Sequence, residues 1–350
     1  MKICVIGAGA IGGMLGAKLT LGGNDVTFVE KNAAHAKAIA ADGLKIVAHD
    51  GSETVARGLT VVDEIAKAGK QDLVIVAVKA HQIPGISGEL RGLFGPETTV
   101  MTVQNGIPFW YFYKLDGPYE NRRIEAVDPT GELEKNIERD RIVGCVVYPA
   151  GEVIAPGVIK HVEGDRYSVG ELDGSQSERV KKLSETLVAA GFKSFVLEDI
   201  RSEIWLKLWG NLSFNPISAL THGTLAGMAR YEPAKELVAN MMREAQEIAG
   251  KLGITFRHTI EKRIAGAESV GEHKTSMLQD VEAGRALEVE ALVGAVVELG
   301  RLTETPTPHI NAVYACTKLL DKVMTDGNVA FPPVPKGGAA AERELAAARS

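Results

Sequence analysis

The chain opens MKICVIGAGAIGGMLGAKL, in which Gly7-Ala8-Gly9-Ala10-Ile11-Gly12 fits the spacing G-x-G-x-x-G between a run of strand formers and a helical run. In that context each glycine has a separate task. The first permits a tight turn, the second lets backbone approach a pyrophosphate, and the third lets the helix pack closely on the strand. The N-terminus of the helix then offers free N–H groups and the positive end of its dipole to a phosphate. The alternative is a glycine-rich turn packed for local reasons alone. What favours a dinucleotide is Glu30, which ends the next strand 18 positions after Gly12 and can accept hydrogen bonds from a ribose. A carboxylate there repels the 2′-phosphate of NADP and inclines the prediction towards NAD. Lys31 follows directly, however, and could pair with that phosphate.

The same stretch could be read as an apolar export signal behind Lys2. Five glycines interrupt it and Lys18 follows, so the strand–loop–helix reading is preferred and a cytoplasmic protein is expected. A length of 350 residues suits two domains. Apolar residues at 45% and charged residues at 24% are ordinary globular values, and a net charge of −6 gives no reason to expect nucleic acid or a membrane surface as partner. Cys4, Cys145 and Cys316 are scattered and odd in number. They form neither a disulfide framework nor a metal-ligand cluster, so no metal is expected.

Along the first half, strands KICVIG, DVTFVE, DLVIVAVKA and TTVMTVQNG alternate with helices AIGGMLGAKLTLGG, NAAHAKAIAADG, VDEIAKAGKQ and ELRGLFG, and GLKIV is a short strand candidate. Alternation with strands apolar on both faces predicts an α/β core with a parallel sheet. Residues 107–141 are turn-rich, RIVGCVVYPAGEVIAPGVIKHVEGDRYSVGEL reads as antiparallel or mixed strands, and SERVKKLSETLVAAG and FKSFVLE as a helix and a strand. From Asp199 strand signals vanish and helices are predicted over 199–215, 233–252, 257–266, 276–302 and 308–325. The predicted division is therefore 1–198, 199–328 and a flexible, Pro/Gly- then Ala-rich tail over 329–350.

The helical half carries the sharper chemical signal. In IWLKLWGNLSFNP, Lys207, Asn211 and Asn215 recur every fourth residue, which places an amine and two amides on one helical stripe within about 80°. A solvated face with a snorkelling lysine is the alternative. Pro216 is expected to kink or end the helix beside Asn215.

These residues, taken with GAGAIG, VAVKAHQ at 76–82, VQNG at 103–106 and TSMLQDVEAGRALEVEALVG at 275–294, resemble the ketopantoate reductases (2-dehydropantoate 2-reductases) over nearly the whole chain to about residue 325. The resemblance implies a Rossmann-type N-terminal domain, an all-α C-terminal domain and a cleft between them. There NAD(P)H reduces a 2-keto acid to a 2-hydroxy acid, ketopantoate to pantoate in pantothenate biosynthesis. It implies Lys207 as the general acid and Glu288 as a ligand of the substrate hydroxyl or the cofactor ribose. It further implies Asn211, Asn215, Ser276 and Asn105 as substrate contacts, and Lys79, Gln82 and Asn105 as lining of the cofactor site. A homodimer is the family's habit.

Plainer readings stand beside these. Ser276-Met-Leu-Gln279 is also a capping-box pattern with Ser276 as the cap. Glu288 is also an ordinary helix-face carboxylate, and Trp205 and Trp209 are expected in the core. The chain departs from the family at 107–141, where Phe109-Trp110-Tyr111-Phe112-Tyr113 form an unbroken aromatic run. A run this apolar is expected to cover the cleft or a subunit contact, or else to pack into the local core. Cover over the cleft would suit a bulkier acceptor, as in NAD-dependent D-2-hydroxyacid dehydrogenases of the same fold. A non-catalytic dinucleotide-binding protein is the alternative from a different class.

Overall fold

The structure, a computed structural model, describes residues 1–333; the expected tail lies outside the described residues from 334 onward. Contacts divide the chain into two compact units. The first is Met1–Leu208 with Gly253–Thr255 and Glu290–Leu299, and the second takes the remainder. The division falls inside a helix, more than two turns beyond the predicted boundary near Asp199.

In chain order the first unit contributes β1 (Lys2–Ile6), α1 (Ala10–Leu21), β2 (Asp25–Val29), α2 (Ala33–Asp42), β3 (Leu44–Val47), β4 (Glu53–Ala56), β5 (Thr60–Val62) and β6 (Gln71–Val76). It continues with α3 (Pro84–Leu90), β7 (Phe94–Thr102), α4 (Glu132–Asn136), β8 (Ile142–Val147), β9 (Ala150–Ala155), β10 (Val158–Glu163), β11 (Arg166–Gly170), α5 (Glu178–Ala189) and β12 (Lys193–Val196). Eight strands form one sheet in the order β12-β11-β8-β7-β6-β1-β2-β5. From β5 to β8 all neighbours are parallel; β11 pairs antiparallel with β8, and β12 parallel with β11. The apolar strands are buried as their composition demands: β8 is buried along its whole length and β1 from Ile3 to Ile6. Because β2 and β6 flank β1, chain order reverses at β1, the place where open α/β sheets bind ligands beyond the strand ends.

Several local expectations change. The strand GLKIV forms, but as β3 it joins a separate four-stranded sheet, β4-β3-β10-β9, that packs over α1. The predicted helix VDEIAKAGKQ shrinks to one 3₁₀ turn over Ile65–Ala68, closed by Gly69 at φ 67°. The helix expected over ELRGLFG lies earlier, at α3, because Phe94 already enters β7.

The aromatic run lies in the core of the first unit, not over a cleft or at a subunit contact. All five side chains are 4% exposed or less. Trp110 Nε1 donates to Thr102 Oγ1 at 2.8 Å, and Gly144 on β8 leaves room for its ring, since a Cβ there would stand 2.8 Å from it. Tyr111 Oη accepts from Trp205 Nε1 at 2.7 Å. The buried Arg201 guanidinium donates to the carbonyls of Tyr111 and Tyr113, both at 2.7 Å, and of Leu172 at 2.6 Å. A charge at that depth needs such a set of acceptors, and they bind the irregular connection down.

Helix α6 (Ile200–Thr221) begins in the first unit and ends in the second. It passes through Pro216 instead of stopping there. A proline inside a helix costs roughly 3 kcal/mol, and burial of Phe214, Ile217 and Ala219 around it offsets a loss of that order. The second unit continues with α7 (Leu225–Arg230), which the sequence reading did not anticipate, α8 (Glu232–Lys251), α9 (Ile260–Val270) and α10 (Ser276–Glu282). The single helix expected over 276–302 is broken. After α10 the chain turns at Gly284 (φ 64°), where Arg285 pairs with Asp280 and Leu287 N–H donates to Asp321. It re-enters a helix through a π turn at Glu290–Gly294, which leads into α11 (Ala295–Leu302). Helix α12 (Pro308–Gly327) follows, and Phe331 N–H then donates to the Val281 carbonyl at 3.2 Å, so the first residues of the predicted tail are held down. Among the described residues no helix is long and apolar enough to cross a membrane.

With Trp110 filling the core, Trp110→Ala should cost about 3–5 kcal/mol of stability. Thermal denaturation followed by circular dichroism checks this, and the preference among acceptors of the remaining folded protein should not change.

Candidate active site

The glycine loop divides its labour as the spacing predicts. Gly7 has φ 94°, a conformation that side chains resist. A Cβ on Gly12 would lie 2.2 Å from the Gly7 carbonyl oxygen and 2.6 Å from Ala77 Cβ, so only a glycine lets α1 start this close to the sheet. A Cβ on Gly9, by contrast, would meet nothing within 4 Å, and α1 begins there without a side-chain cap. Open space beside an uncapped helix start is what a diphosphate requires, and the loop fits one.

Two side chains hold this loop from behind. Glu30 accepts from Ala8 N–H through Oε2 at 2.9 Å and from Asn32 N–H through Oε1 at 2.7 Å. Its carboxylate therefore stands at the loop, where a ribose would be met, while Lys31 is exposed. The second is His35, which the sequence reading did not single out. It is 6% exposed; Gly157 N–H donates to its Nδ1 at 3.0 Å, and Nε2 lies 2.9 Å from the Ala8 carbonyl oxygen. Since the Gly157 amide can only donate, Nδ1 accepts and the proton sits on Nε2, donating to Ala8. A histidine among alanines on α2 carries no recognisable motif; only the arrival of the β9–β10 turn gives it a partner.

Because β1, β6, β7 and β8 are parallel, the segments following them meet at one edge of the sheet. After β6, Lys79 starts a 3₁₀ turn whose Gln82 carboxamide oxygen accepts Lys79 N–H at 3.0 Å. After β7, Gln104 donates to the Val76 and Val78 carbonyls, both at 2.7 Å. Gly106 (φ 90°) lies so close to the π turn that a Cβ would stand 2.2 Å from the Ala291 oxygen, and Ile107 N–H bonds that oxygen at 2.8 Å. Asn105 is thus held between two fixed neighbours. Its Oδ1 accepts from Lys207 Nζ at 2.5 Å, and the same half-buried amine also donates to the carbonyl of Val147 at the end of β8. Burial pushes the Cys4 and Cys145 thiols up to about 12, so neither is an available nucleophile at neutral pH.

In the second unit, Asn211 and Asn215 occupy the next two turns of α6, Asn211 half-buried and Asn215 buried. The cap of α10 is Thr275, whose Oγ1 accepts from Leu278 N–H at 3.2 Å, so Ser276 is not the cap and its side chain is exposed. Glu288 is half-buried and precedes the helical re-entry, not on a continuous helix face as expected. Trp205 and Trp209 are fully buried.

Two substitutions separate packing from binding. Gly12→Ala should lower stability by about 1–3 kcal/mol through the clash with the Gly7 carbonyl. Gly9→Ala should melt like the parent and lose at least tenfold in NADH affinity, read by fluorescence titration.

Comparison with known proteins shows what the chain as a whole is similar to. The family model for ketopantoate reductase PanE/ApbA matches residues 3–174, and its C-terminal counterpart matches residues 199–321. The chain is 51% identical over 322 residues to a 2-dehydropantoate 2-reductase of Mesorhizobium japonicum, covering 91% of this chain and 98% of that protein. A candidate ketopantoate reductase of Ralstonia solanacearum MolK2 superposes with a TM-score of 0.87 at 34% identity, over 94% of this chain and 99% of that one. The 2-dehydropantoate 2-reductase of Methylococcus capsulatus does so with a TM-score of 0.76 at 29% identity, over 93% and 98%. D-Mandelate dehydrogenase with NADH and anilino(oxo)acetate shares the fold, with a TM-score of 0.79 at 23% identity over 93% and 100%. With a Rossmann-type sheet unit, a helical second unit and relatives matched along nearly their full length, the chain belongs to the ketopantoate reductase family.

Proposed function

We propose that this chain reduces ketopantoate to pantoate with a nicotinamide dinucleotide. The observation that carries the reading is the amine of Lys207. It is held by Asn105 Oδ1 and the Val147 carbonyl at the sheet edge that also bears the glycine loop. Both acceptors are neutral oxygens, so they orient the ammonium without removing its charge.

Residues of the loop from Gly7 to Gly12, with Glu30, would hold the diphosphate and ribose, and Lys79 and Asn105 would meet the cofactor further along the same edge. When bound, the dinucleotide supplies a hydride to the keto carbon. Negative charge then grows on the carbonyl oxygen. Lys207 stabilises it and delivers a proton to that oxygen, completing the hydroxyl. Lys207 leaves the step neutral and takes its next proton from water. Asn211, Asn215 and Ser276 would grip the keto acid through amide and hydroxyl groups, and Glu288 would accept from its hydroxyl or from the ribose.

Glu30 supports NAD over NADP, because a carboxylate at the ribose repels a 2′-phosphate. A cytoplasmic homodimer belongs to the same reading and rests on the family resemblance. The bulkier-acceptor alternative drew on an aromatic cover over the site; with that run in the core, no observation favours it.

A panel of 2-keto acids assayed with NADH and with NADPH should give the highest kcat/KM with ketopantoate and NADH. Glu30→Gln should narrow the NADH preference by roughly tenfold, the scale of one charge–charge contact near a surface. Lys207→Ala should lower kcat by about 10²- to 10⁴-fold while NADH binding, read by fluorescence, stays within twofold. Unchanged turnover in Lys207→Ala would sink the acid assignment.

A further inference from the structure

Helix α6 and strand β8 are joined at two adjacent rungs. One is Lys207 with the Val147 carbonyl. The other lies one residue along β8 and one turn back on α6. Tyr148 Oη donates to Glu203 Oε1 at 2.5 Å, and Glu203 is 3% exposed. Arg166 Nη2 reaches the same carboxylate oxygen at 3.0 Å. Arg166 comes to this place through the sheet. It opens β11 opposite Tyr148, whose N–H bonds its carbonyl at 3.0 Å, and its guanidinium lies 3.8 Å from the centre of the Tyr148 ring. The Lys207 ammonium stands 5.9 Å from that same ring centre.

We infer that Tyr148, Glu203 and Arg166 form a charge-balanced clamp that positions Lys207 and sets how readily it gives up its proton; this rests on the reading of Lys207 as proton donor. Glu203 and Lys207 are four residues apart on one helix, so an unrestrained carboxylate at 203 would be drawn towards the amine and would hold its proton. The Tyr148 hydroxyl and Arg166 turn that carboxylate aside and neutralise it. A buried carboxylate with a hydroxyl and a guanidinium on it is well satisfied; losing the hydroxyl leaves it held by Arg166 alone, and losing the ion pair leaves an uncompensated charge. The aromatic ring carries two cations near it, Arg166 and Lys207, and its place is set by the hydrogen bond at its tip. Groups placed near Lys207 include Asn105 after β7, Val147 and the neutral Cys145 of β8, and Tyr148 directly after it, with Arg166 of β11 and Glu203 of α6 reached through Tyr148. Arg166 and Glu203 are the charged members of this set. Tyr148, Glu203 and Arg166 are positioning residues: the mechanism requires none of them to touch substrate.

Two variants move the amine in opposite directions. Tyr148→Phe deletes one oxygen and frees the carboxylate towards Lys207, so the amine keeps its proton to higher pH. Glu203→Gln preserves an acceptor for the Tyr148 hydroxyl but leaves Arg166 unbalanced, so the amine loses its proton at lower pH. The primary readout is the NMR titration of Lys207 in cofactor-free, ¹³C-methylated protein, its resonance identified by its loss in Lys207→Arg. The titration midpoint should rise in Tyr148→Phe and fall in Glu203→Gln, by at least half a pH unit each. The alkaline limb of kcat for keto-acid reduction should follow in the same directions. At the parent's optimal pH, kcat should drop about tenfold in Tyr148→Phe, with NADH affinity unchanged. A Lys207 midpoint that is identical in parent and both variants overturns the clamp, as does a loss of melting temperature with kcat and its pH profile unmoved. The titration also keeps the two claims apart. If Lys207→Ala retains turnover, the acid assignment fails, yet the shifts in the Lys207 midpoint still decide the clamp.

Discussion

The contact on which the first unit depends is the one at Gly12, where helix and strand come so close that a Cβ would overlap the Gly7 carbonyl. It brings the N-terminus of α1 onto the end of β1, the strand at which sheet order reverses. Once α1 is placed there, much else is obliged to follow. The second sheet packs over α1, its β9–β10 turn delivers the Gly157 amide to His35, and His35 in turn holds the Ala8 carbonyl. Glu30 secures the opposite side of the same residue by accepting from Ala8 N–H. Ala8, between the first two glycines of the loop, is thus held through both its donor and its acceptor.

A second constraint is the burial of positive charge along the first two turns of α6. Arg201 is satisfied by three main-chain carbonyls, two of them within the aromatic run. Lys207, two turns later, is held by one main-chain carbonyl and one carboxamide. Both cations use carbonyl oxygens presented by segments outside their own helix. The consequences differ. Arg201 keeps its charge at any working pH, so its contacts serve only to fasten the 107–141 connection. Lysine, unlike arginine, can part with a proton, and the Asn105 and Val147 oxygens hold its amine without adding charge. One helix thus presents a guanidinium and an amine, each held by oxygens of other segments, within seven residues.

How much of this could be read beforehand depended on the range of the interactions. The G-x-G-x-x-G loop, the apolar strands and the stripe of Lys207, Asn211 and Asn215 are local patterns, and the structure contains each of them as elements where the sequence puts them. What the local patterns left open was decided by distant partners or by a choice between adjacent residues. GLKIV forms the expected strand, but which sheet it joins was decided by β10, more than a hundred residues later, which offered it an edge. The helix through 276–302 broke because Asp280 and Asp321 caught Arg285 and the Leu287 amide. The cap of α10 moved from Ser276 to Thr275, a one-residue shift that propensity does not resolve because both side chains can cap.

From the sequence alone came the dinucleotide loop, the α/β-then-helical order and the residue types fit for keto-acid reduction. Hydrogen-bonding pattern and hydrophobic period act over a few residues, and the chain states them openly. Only the tertiary structure decided that the aromatic run is core, that His35 and Glu30 share the support of Ala8, and that Tyr148, Glu203 and Arg166 meet beside Lys207. Each of those depends on segments brought together by the register of parallel and antiparallel strands. Register is a property of the folded sheet as a whole, and no short stretch of sequence carries it.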